Sequence, residues 1–152
     1  IGGRKDLQSA FRRHQGYLDG LRQANILVDP DLIMDGNFTI EAGYRCGQKL
    51  LTMANRPTAI FAANDETAFG VIKAVREMGL NIPDDVSLVG FDNSPESAYY
   101  LPNGLTTVDQ SVQQMGLAAT EMLVNLIKGK SVPETIYKVP TQLIARGSCR
   151  AI

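Results

Sequence analysis

The chain has 152 residues, of which 44% are hydrophobic, and this size suits a single domain with one substantial core. Fifteen basic and sixteen acidic side chains give a net charge of -1 without any Lys/Arg-rich run, so this chain carries no electrostatic footprint for nucleic acid. No apolar run reaches the roughly 18 residues of a membrane helix and no signal-peptide pattern opens the chain, so we expect no membrane partner and a cytoplasmic protein. Because the chain starts at Ile1 without a starting Met, we expect it to be part of a longer protein.

Motifs for catalysis, metals and cofactors are missing from the sequence. Cys46 and Cys149 stand alone without CxxC spacing, which predicts two reduced thiols and neither a metal site nor a disulfide framework. The single histidine, His14, lies in the middle of a predicted helix without an HExxH or GxSxG context. With no P-loop and no GxGxxG motif either, we expect no enzyme, no metal and no cofactor.

The first part of the chain predicts two helices and two strands. Apolar residues three to four positions apart predict a helix from Gln8 to Ala24, and a short apolar run predicts a strand at 32–34. The hydroxyl of Thr39 suits the N-cap of a second helix, which Pro57 ends. Residues 58–63 are apolar on both faces, which is typical of a strand inside a parallel sheet.

The rest of the chain continues this alternation. The predicted elements are a helix at Glu66–Met78, strands at 86–91 and 105–108, a helix at Ser111–Lys128, and strands near 135–139 and 142–145. Helices and strands alternate at the spacing of βαβ units. The pattern therefore predicts an α/β fold with a doubly wound parallel sheet and helices on both of its faces.

Polar and aromatic residues follow three of the predicted strands. In an open parallel sheet, ligands bind beyond the carboxyl ends of the strands, where loops and helix N-termini converge. Carboxylates, amides and a guanidinium pair with the hydroxyls of a sugar, and an aromatic ring stacks on its C–H face. Such a set is formed by Asn37 and Phe38, Asn64 and Asp65, Asp92 and Asn93, with Arg13 added from the first helix.

Other interpretations of these residues stay open. Asp and Asn after a strand are also ordinary turn and N-cap residues. Phe38 also fits a core position, and Arg13, next to Arg12, also fits a solvated helix face. The positions of Asp65 and Asp92 at strand ends are compatible with the nucleophile of a hydrolase or phosphotransferase.

Three segments carry a resemblance to a known family. The segment RPTAIFAANDETAFGVIKAVREMGLNIPDDVSLVGFDNSPESAYYLPNGLTTVDQSVQQMG resembles the C-terminal effector domain of LacI/GalR regulators. The later segment YKVPTQLIARGSC resembles the closing strands of that family, and RRHQGYLDGLRQANI is similar to its arginine-bearing helix. The resemblance covers nearly the whole chain in the same order and spacing.

The resemblance implies a fold of the periplasmic binding protein-like type I, mainly its C-terminal lobe. Residues 1–109 would form that lobe, 110–130 would hold a crossover helix that normally packs on the N-terminal lobe, and 131–152 would supply closing strands. A DNA-binding headpiece and most of the N-terminal lobe would lie outside this chain. Effector binds between the two lobes in this family.

The resemblance also assigns roles to individual residues. Arg13 would contact the effector, with Ser9 one helical turn earlier, and Phe38 would be the stacking aromatic. Asn64 and Asp92 would hydrogen-bond the ligand. The implied effector-binding set is Ser9, Arg13, Phe38, Asn64, Asp92 and Gln110, the last of which would lie near the crossover between lobes.

The resemblance implies a DNA-binding transcriptional regulator whose operator affinity is controlled by a small effector, such as a sugar or sugar phosphate. We expect a homodimer, because the apolar stripe of helix 111–128 needs a partner. Operator DNA would bind only through the headpiece, and some family members answer to a protein corepressor. A periplasmic sugar-binding protein of a transport system is the alternative with the same fold.

Overall fold

Four helices and four short strands make up the regular secondary structure of the described residues. The computed structural model describes residues 1–131 and 136–151. The helices are α1 (Gln8–Gln23), α2 (Ile40–Leu51), α3 (Asp65–Glu77) and α4 (Val112–Ile127), with 3-10 turns at Pro30–Leu32 and Pro95–Ala98. The strands are β1 (Ala59–Phe61), β2 (Ser87–Val89), β3 (Thr107–Asp109) and β4 (Gln142–Ile144).

The central strands of the sheet are parallel, as the sequence predicts. β1 pairs with β2 in a register that places Ile60 beside Leu88. A parallel bridge from Val89 to Thr106 extends the pairing toward β3, and β4 closes this side as an antiparallel partner of β3. On the other side, the N–H of Ala63 donates to the Ile1 carbonyl at 3.0 Å, so the first residues lie beside β1.

Helices cover both faces of this sheet. Successive side chains of a strand point to opposite faces. On β1, Ile60 belongs to the buried core cluster together with Leu50 of α2 and Val71 of α3. The next residue, Phe61, stacks on Tyr17 of α1 with ring centroids 6.4 Å apart. α1 therefore covers one face and the α2–α3 pair the other, which confirms the doubly wound α/β prediction.

The contact between α2 and α3 depends on two glycines. A Cβ added at Gly70 would overlap the carbonyl oxygen of Ile40, and one added at Gly43 would overlap the Thr67 carbonyl. The absence of side chains lets the two helix backbones approach closely. This close packing buries most of α3, which begins at the strand end where ligand contacts are predicted.

α4 has a different environment from the other helices. None of its residues is buried, and Leu117, Leu126 and Ile127 are 66%, 60% and 75% exposed. The helix itself matches the prediction for 111–128. Within the described part of the chain, none of the helices is long and apolar enough to cross a membrane.

Two predicted strands differ from the structure. The strand predicted at 32–34 is wrong: Asp29 accepts a hydrogen bond from the Asp31 N–H and Pro30 begins a 3-10 turn that includes Leu32. Only a single bridge from Gly2 to Asp35 remains there. Of the strand predicted near 135–139, residue 135 lies outside the described residues and 136–139 have no strand pairing.

Candidate functional site

Arg13 lies at the centre of a cluster at the carboxyl edge of the sheet. Its side chain is only 12% exposed although it carries a full charge. Nη1 donates to the Ala63 carbonyl at 2.5 Å, and Nη2 lies 3.2 Å from Oδ1 of Asp92. The guanidinium carbon also sits 3.9 Å from the centroid of the Phe91 ring and 5.4 Å from that of Phe38. Arg13 is therefore not a solvated helix charge, because the ends of three segments surround it.

Phe38 lies half-buried in the loop before α2. Its backbone is in the left-handed region at φ 62°, and the carbonyl accepts a hydrogen bond from the Asn64 amide at 3.3 Å. Its ring lies against the backbone of Gly3, where any Cβ would overlap the ring atoms. Phe38 thus lies beside the Arg13 guanidinium, and it stays outside the core cluster.

Asn64 is a helix cap in this structure. Its Oδ1 accepts from the N–H of Thr67 at 3.0 Å and from the Thr67 hydroxyl at 2.6 Å, which satisfies a free amide at the start of α3. Its Nδ2 holds the Phe38 carbonyl. The local capping interpretation of Asn64 is therefore correct, and its contact with an effector stays a prediction.

Asp92 and Gln110 form the other half of the cluster. Gln110 Nε2 donates to Asp92 Oδ1 at 2.5 Å, the same oxygen that faces Arg13. Asp92 is 34% exposed, so its carboxylate is accessible as well as paired. The structure thus brings together Arg13, Phe38, Asp92 and Gln110, with Asn64 holding the loop of Phe38. Ser9 lies one turn before Arg13 on α1, exposed, and no hydrogen bond joins it to the others among the described residues.

Burial controls the electrostatics of this pair. Desolvation raises the pKa of Asp92, the nearby charge of Asp65 raises it further, and the Arg13 cation opposes both. Desolvation likewise lowers the pKa of Arg13, against the attraction of Asp92. The ion pair therefore offsets only part of the cost of removing both charges from water.

Sequence reasoning missed one residue of this cluster, Phe91. Phe91 supplies the nearest aromatic face to Arg13, and it lies two residues beyond Val89 of β2, which pairs with Phe61. The alternation of side chains along a strand would have placed Phe91 on the face of α1. Asp65, which the sequence already places among the polar residues at the strand ends, has its carboxylate buried beneath the cluster.

Two open hollows flank the Arg13–Asp92 pair. One of about 420 Å³ lies beside Arg13, with a floor formed by Tyr17, Phe61 and Phe91. The other, about 640 Å³, lies between Asp92 and the first turn of α4. Within residues 1–131 and 136–151, no three His, Cys, Asp or Glu side chains group as metal ligands. The arrangement presents an aromatic surface, a carboxylate, an amide and a guanidinium to a small polar molecule.

Comparisons with known proteins agree with this geometry. The family model of the periplasmic binding protein-like domain matches residues 1–149. An HTH-type transcriptional repressor PurR from Histophilus somni is 37% identical over 152 residues, which is all of this chain and 45% of that protein. The chain thus spans about half the length of the curated relatives it matches.

Solved structures give the same result. A transcriptional regulator LacI from Bacillus cereus superposes with a TM-score of 0.90 at 32% identity, covering 100% of this chain and 54% of that one. The complex of the transcriptional regulator CelR with cellobiose superposes with a TM-score of 0.87 at 30% identity, covering 97% of this chain and 45% of that one. The chain belongs to the periplasmic binding protein-like domain family, and over its whole length it is similar to part of regulators of the LacI type.

Proposed function

We propose that this chain is the effector-sensing part of a LacI-type transcriptional regulator, and that Arg13 and Asp92 bind the effector. The observation that carries the proposal is the ion pair of these residues at 3.2 Å, at the edge of the sheet where ligands of such folds bind. The free face of Asp92 would accept hydrogen bonds from ligand hydroxyls. The unused N–H groups of Arg13 would donate to ligand oxygens.

The chemistry of the cluster favours a neutral sugar over a sugar phosphate. One guanidinium, Arg13, faces Asp92 and lies close enough to buried Asp65 to feel its charge. Beside Asp92, a phosphate would meet two carboxylates and a cation that is already paired, whereas neutral hydroxyls meet no charge repulsion there. Phe91, which lines the hollow beside Arg13, would stack on sugar C–H groups, and Phe38 would supply the second aromatic ring. The cellobiose bound to the similar regulator supports this ligand class.

We further propose that a second lobe, outside this chain, completes the cleft. Residues 1–109 would form the C-terminal lobe, 110–130 the crossover and 131–152 the closing strands. The exposed apolar side chains of α4, such as Leu117 and Leu126, support this division because they need a covering surface. Gln110 lies at the start of the crossover and bonds Asp92, so a ligand at Asp92 would be sensed where the lobes connect.

The whole regulator would act as a homodimer that binds operator DNA through a headpiece outside this chain. The repressor with 37% identity is of the HTH type, which supports DNA binding as the output. Effector would change operator affinity by binding one arrangement of the lobes more tightly than the other. A protein corepressor at the outer surface of the domain would shift the same equilibrium. This function requires no catalysis and places the protein in the cytoplasm.

A ligand screen tests the proposal. The full-length protein is heated with a panel of neutral mono- and disaccharides, sugar phosphates and nucleosides, because a bound ligand raises the midpoint of unfolding by mass action. We expect a neutral sugar to give the largest shift, and Arg13→Met and Asp92→Asn to abolish that shift. Arg22→Met is the matched control, since Arg22 lies on the same helix in an exposed pair with Asp19.

Two results would contradict the proposal. One is a panel without any stabilising compound. The other is a stabilising sugar whose effect survives Arg13→Met and Asp92→Asn.

Light scattering of the full-length protein at several concentrations tests the dimer, and a monomer at every concentration would contradict the proposed homodimer.

A further inference from the structure

Asp65 is a fully buried carboxylate directly beneath the candidate site. It is the first residue of α3 and only 1% exposed. Oδ1 accepts a hydrogen bond from the hydroxyl of Thr107 at 2.6 Å, and Oδ2 accepts one from the N–H of Ser94 at 2.8 Å. A Cβ at position 90 would overlap Oδ1, so Gly90 leaves the space that this carboxylate occupies. A buried charge with both oxygens engaged indicates a specific role rather than a solvated helix end.

The partners of Asp65 enclose two residues of the loop after β2. Its own N–H donates to the carbonyl of Phe91 at 2.8 Å, immediately before Asp92. Its Oδ2 holds the Ser94 N–H, immediately after Asn93. Thr107, whose hydroxyl donates to Asp65, also accepts from the Asn93 N–H at 3.3 Å. Every one of these bonds holds the backbone on either side of Asp92 or within its turn.

The turn between these bonds has an unfavourable backbone conformation. Asp92 has φ 118° and Asn93 has φ 54°, and both values lie in the region that residues other than glycine rarely adopt. Such a conformation persists only where surrounding contacts determine it. The conformation of the turn fixes the direction of the Asp92 carboxylate toward Arg13 at 3.2 Å and Gln110 at 2.5 Å.

We infer that Asp65 is a positioning residue, which holds the strained turn of Asp92 and Asn93 so that the Asp92 carboxylate points at the ligand site. The ligand contact of Asp92 rests on the proposed function, whereas the positioning does not. A carboxylate suits this task because it accepts from an N–H and a hydroxyl at once, one on each oxygen. Its place in the first turn of α3 adds the favourable field of the helix N-terminus.

Crystal structures of variants of the full-length protein test this inference. Asp65→Ala removes both acceptors, and Thr107→Val removes the bridging hydroxyl with little change in volume. In both we expect the Arg13 Nη2 to Asp92 Oδ1 distance to lengthen beyond about 4 Å, outside ion-pair range. Thr107→Ser restores the hydroxyl and should restore the distance. Val75→Ala is the control for lost stability alone, because Val75 is buried on the same helix ten residues beyond Asp65.

The structural outcomes decide the positioning role. An unchanged ion pair in Thr107→Val, or in Asp65→Ala if it folds, would overturn the inference. So would an equal displacement in Val75→Ala, since the effect would then follow from stability alone. Thr107→Val keeps the test decisive if Asp65→Ala does not fold.

Sugar titrations separate this inference from the proposed function. Calorimetric titration with cellobiose and the neutral sugars of the panel should show binding about 10-fold weaker in Thr107→Val than in the unaltered protein and in Thr107→Ser, the loss of one charge-assisted hydrogen bond. A displaced Asp92 in a protein that binds none of these sugars would refute the sugar site but leave the positioning role intact. A displaced Asp92 with undiminished sugar binding would refute the link between the turn and the ligand.

Discussion

The coupling between Arg13 and Asp92 can be measured by a double-mutant cycle. Arg13→Met removes the charge but keeps much of the side-chain length, and Asp92→Asn keeps the shape of the carboxylate. Because each variant breaks the ion pair, the double variant should cost less stability than the two single changes added together. The cycle isolates this pair from the other contacts of Arg13, such as its hydrogen bond to Ala63.

The structure sets the size of the effect. At 3.2 Å the attraction between two unit charges is about 5 kcal/mol for an effective dielectric constant near 20. Desolvation offsets most of this, since burial shifts the pKa of each partner against its charged form, and Asp92 remains 34% exposed to screening. We expect a coupling energy of about 1–2 kcal/mol. Arg13→Met alone should cost about 2–3 kcal/mol, because it also loses a charged hydrogen bond and the contact with Phe91.

Urea unfolding of the four proteins provides the assay. Midpoints at a common slope give each change in the free energy of unfolding. The exposed pair of Arg22 and Asp19, at 2.7 Å, is the control, and its coupling should stay below about 0.5 kcal/mol despite the shorter distance. Coupling of Arg13 to Asp92 below about 0.3 kcal/mol would refute the reasoning that burial makes this pair the stronger one.

Three further predictions concern the surroundings of the site. Gly3→Ala should lower the free energy of unfolding by about 1–3 kcal/mol, because the added methyl group overlaps the Phe38 ring. A crystal structure of this variant with the Phe38 ring unmoved would contradict the prediction. Ser148→Ala should lower the free energy of unfolding in urea by about 2 kcal/mol, because the fully buried Ser148 hydroxyl accepts from the Thr106 N–H and donates to the Leu88 carbonyl. A decrease below about 0.5 kcal/mol would count against this prediction. Because the pKa of Asp92 is raised in the folded protein, its contribution to stability is present at low pH and is lost as the pH rises through the folded pKa. Stability measured from about pH 4 to pH 7 should therefore fall less with pH in Asp92→Asn than in the unaltered protein, and identical slopes would contradict this.

The helices could be predicted from the sequence because their signals are local. The observed α1 and α4 lie within a residue or so of the predicted ranges, since apolar periodicity and end residues are set within a few positions. Thr39 caps α2 as expected, its hydroxyl accepting from the Ala42 N–H at 3.2 Å. At 32–34, a three-residue apolar run was too short to tell a strand from a turn, and Pro30 decided the outcome.

The candidate site was predicted in outline but not in its connections. The rule for strand ends and the family resemblance brought Arg13 and Asp92 into one list, although 79 positions separate them in the sequence. The role of Asp65 could not be predicted, because its partners Ser94 and Thr107 come from distant segments, 29 and 42 positions away. Periodicity says which face a residue is on, but not which loop crosses over it.

Unfavourable conformations and charges are concentrated at the ligand edge of this domain. Asn37, Phe38, Asp92, Asn93 and Ser111 all have left-handed backbones and follow strands or precede helices at that edge. Each such residue costs of order 1–3 kcal/mol, which is large beside the total stability of a domain. A sequence under selection for stability alone would place glycine there, as it does at the ends of α3 and α4. Phe38 and Asp92 stand at this edge instead of glycine. Their presence indicates that the contacts of the Phe38 ring and the Asp92 carboxylate with the Arg13 guanidinium outweigh the backbone strain.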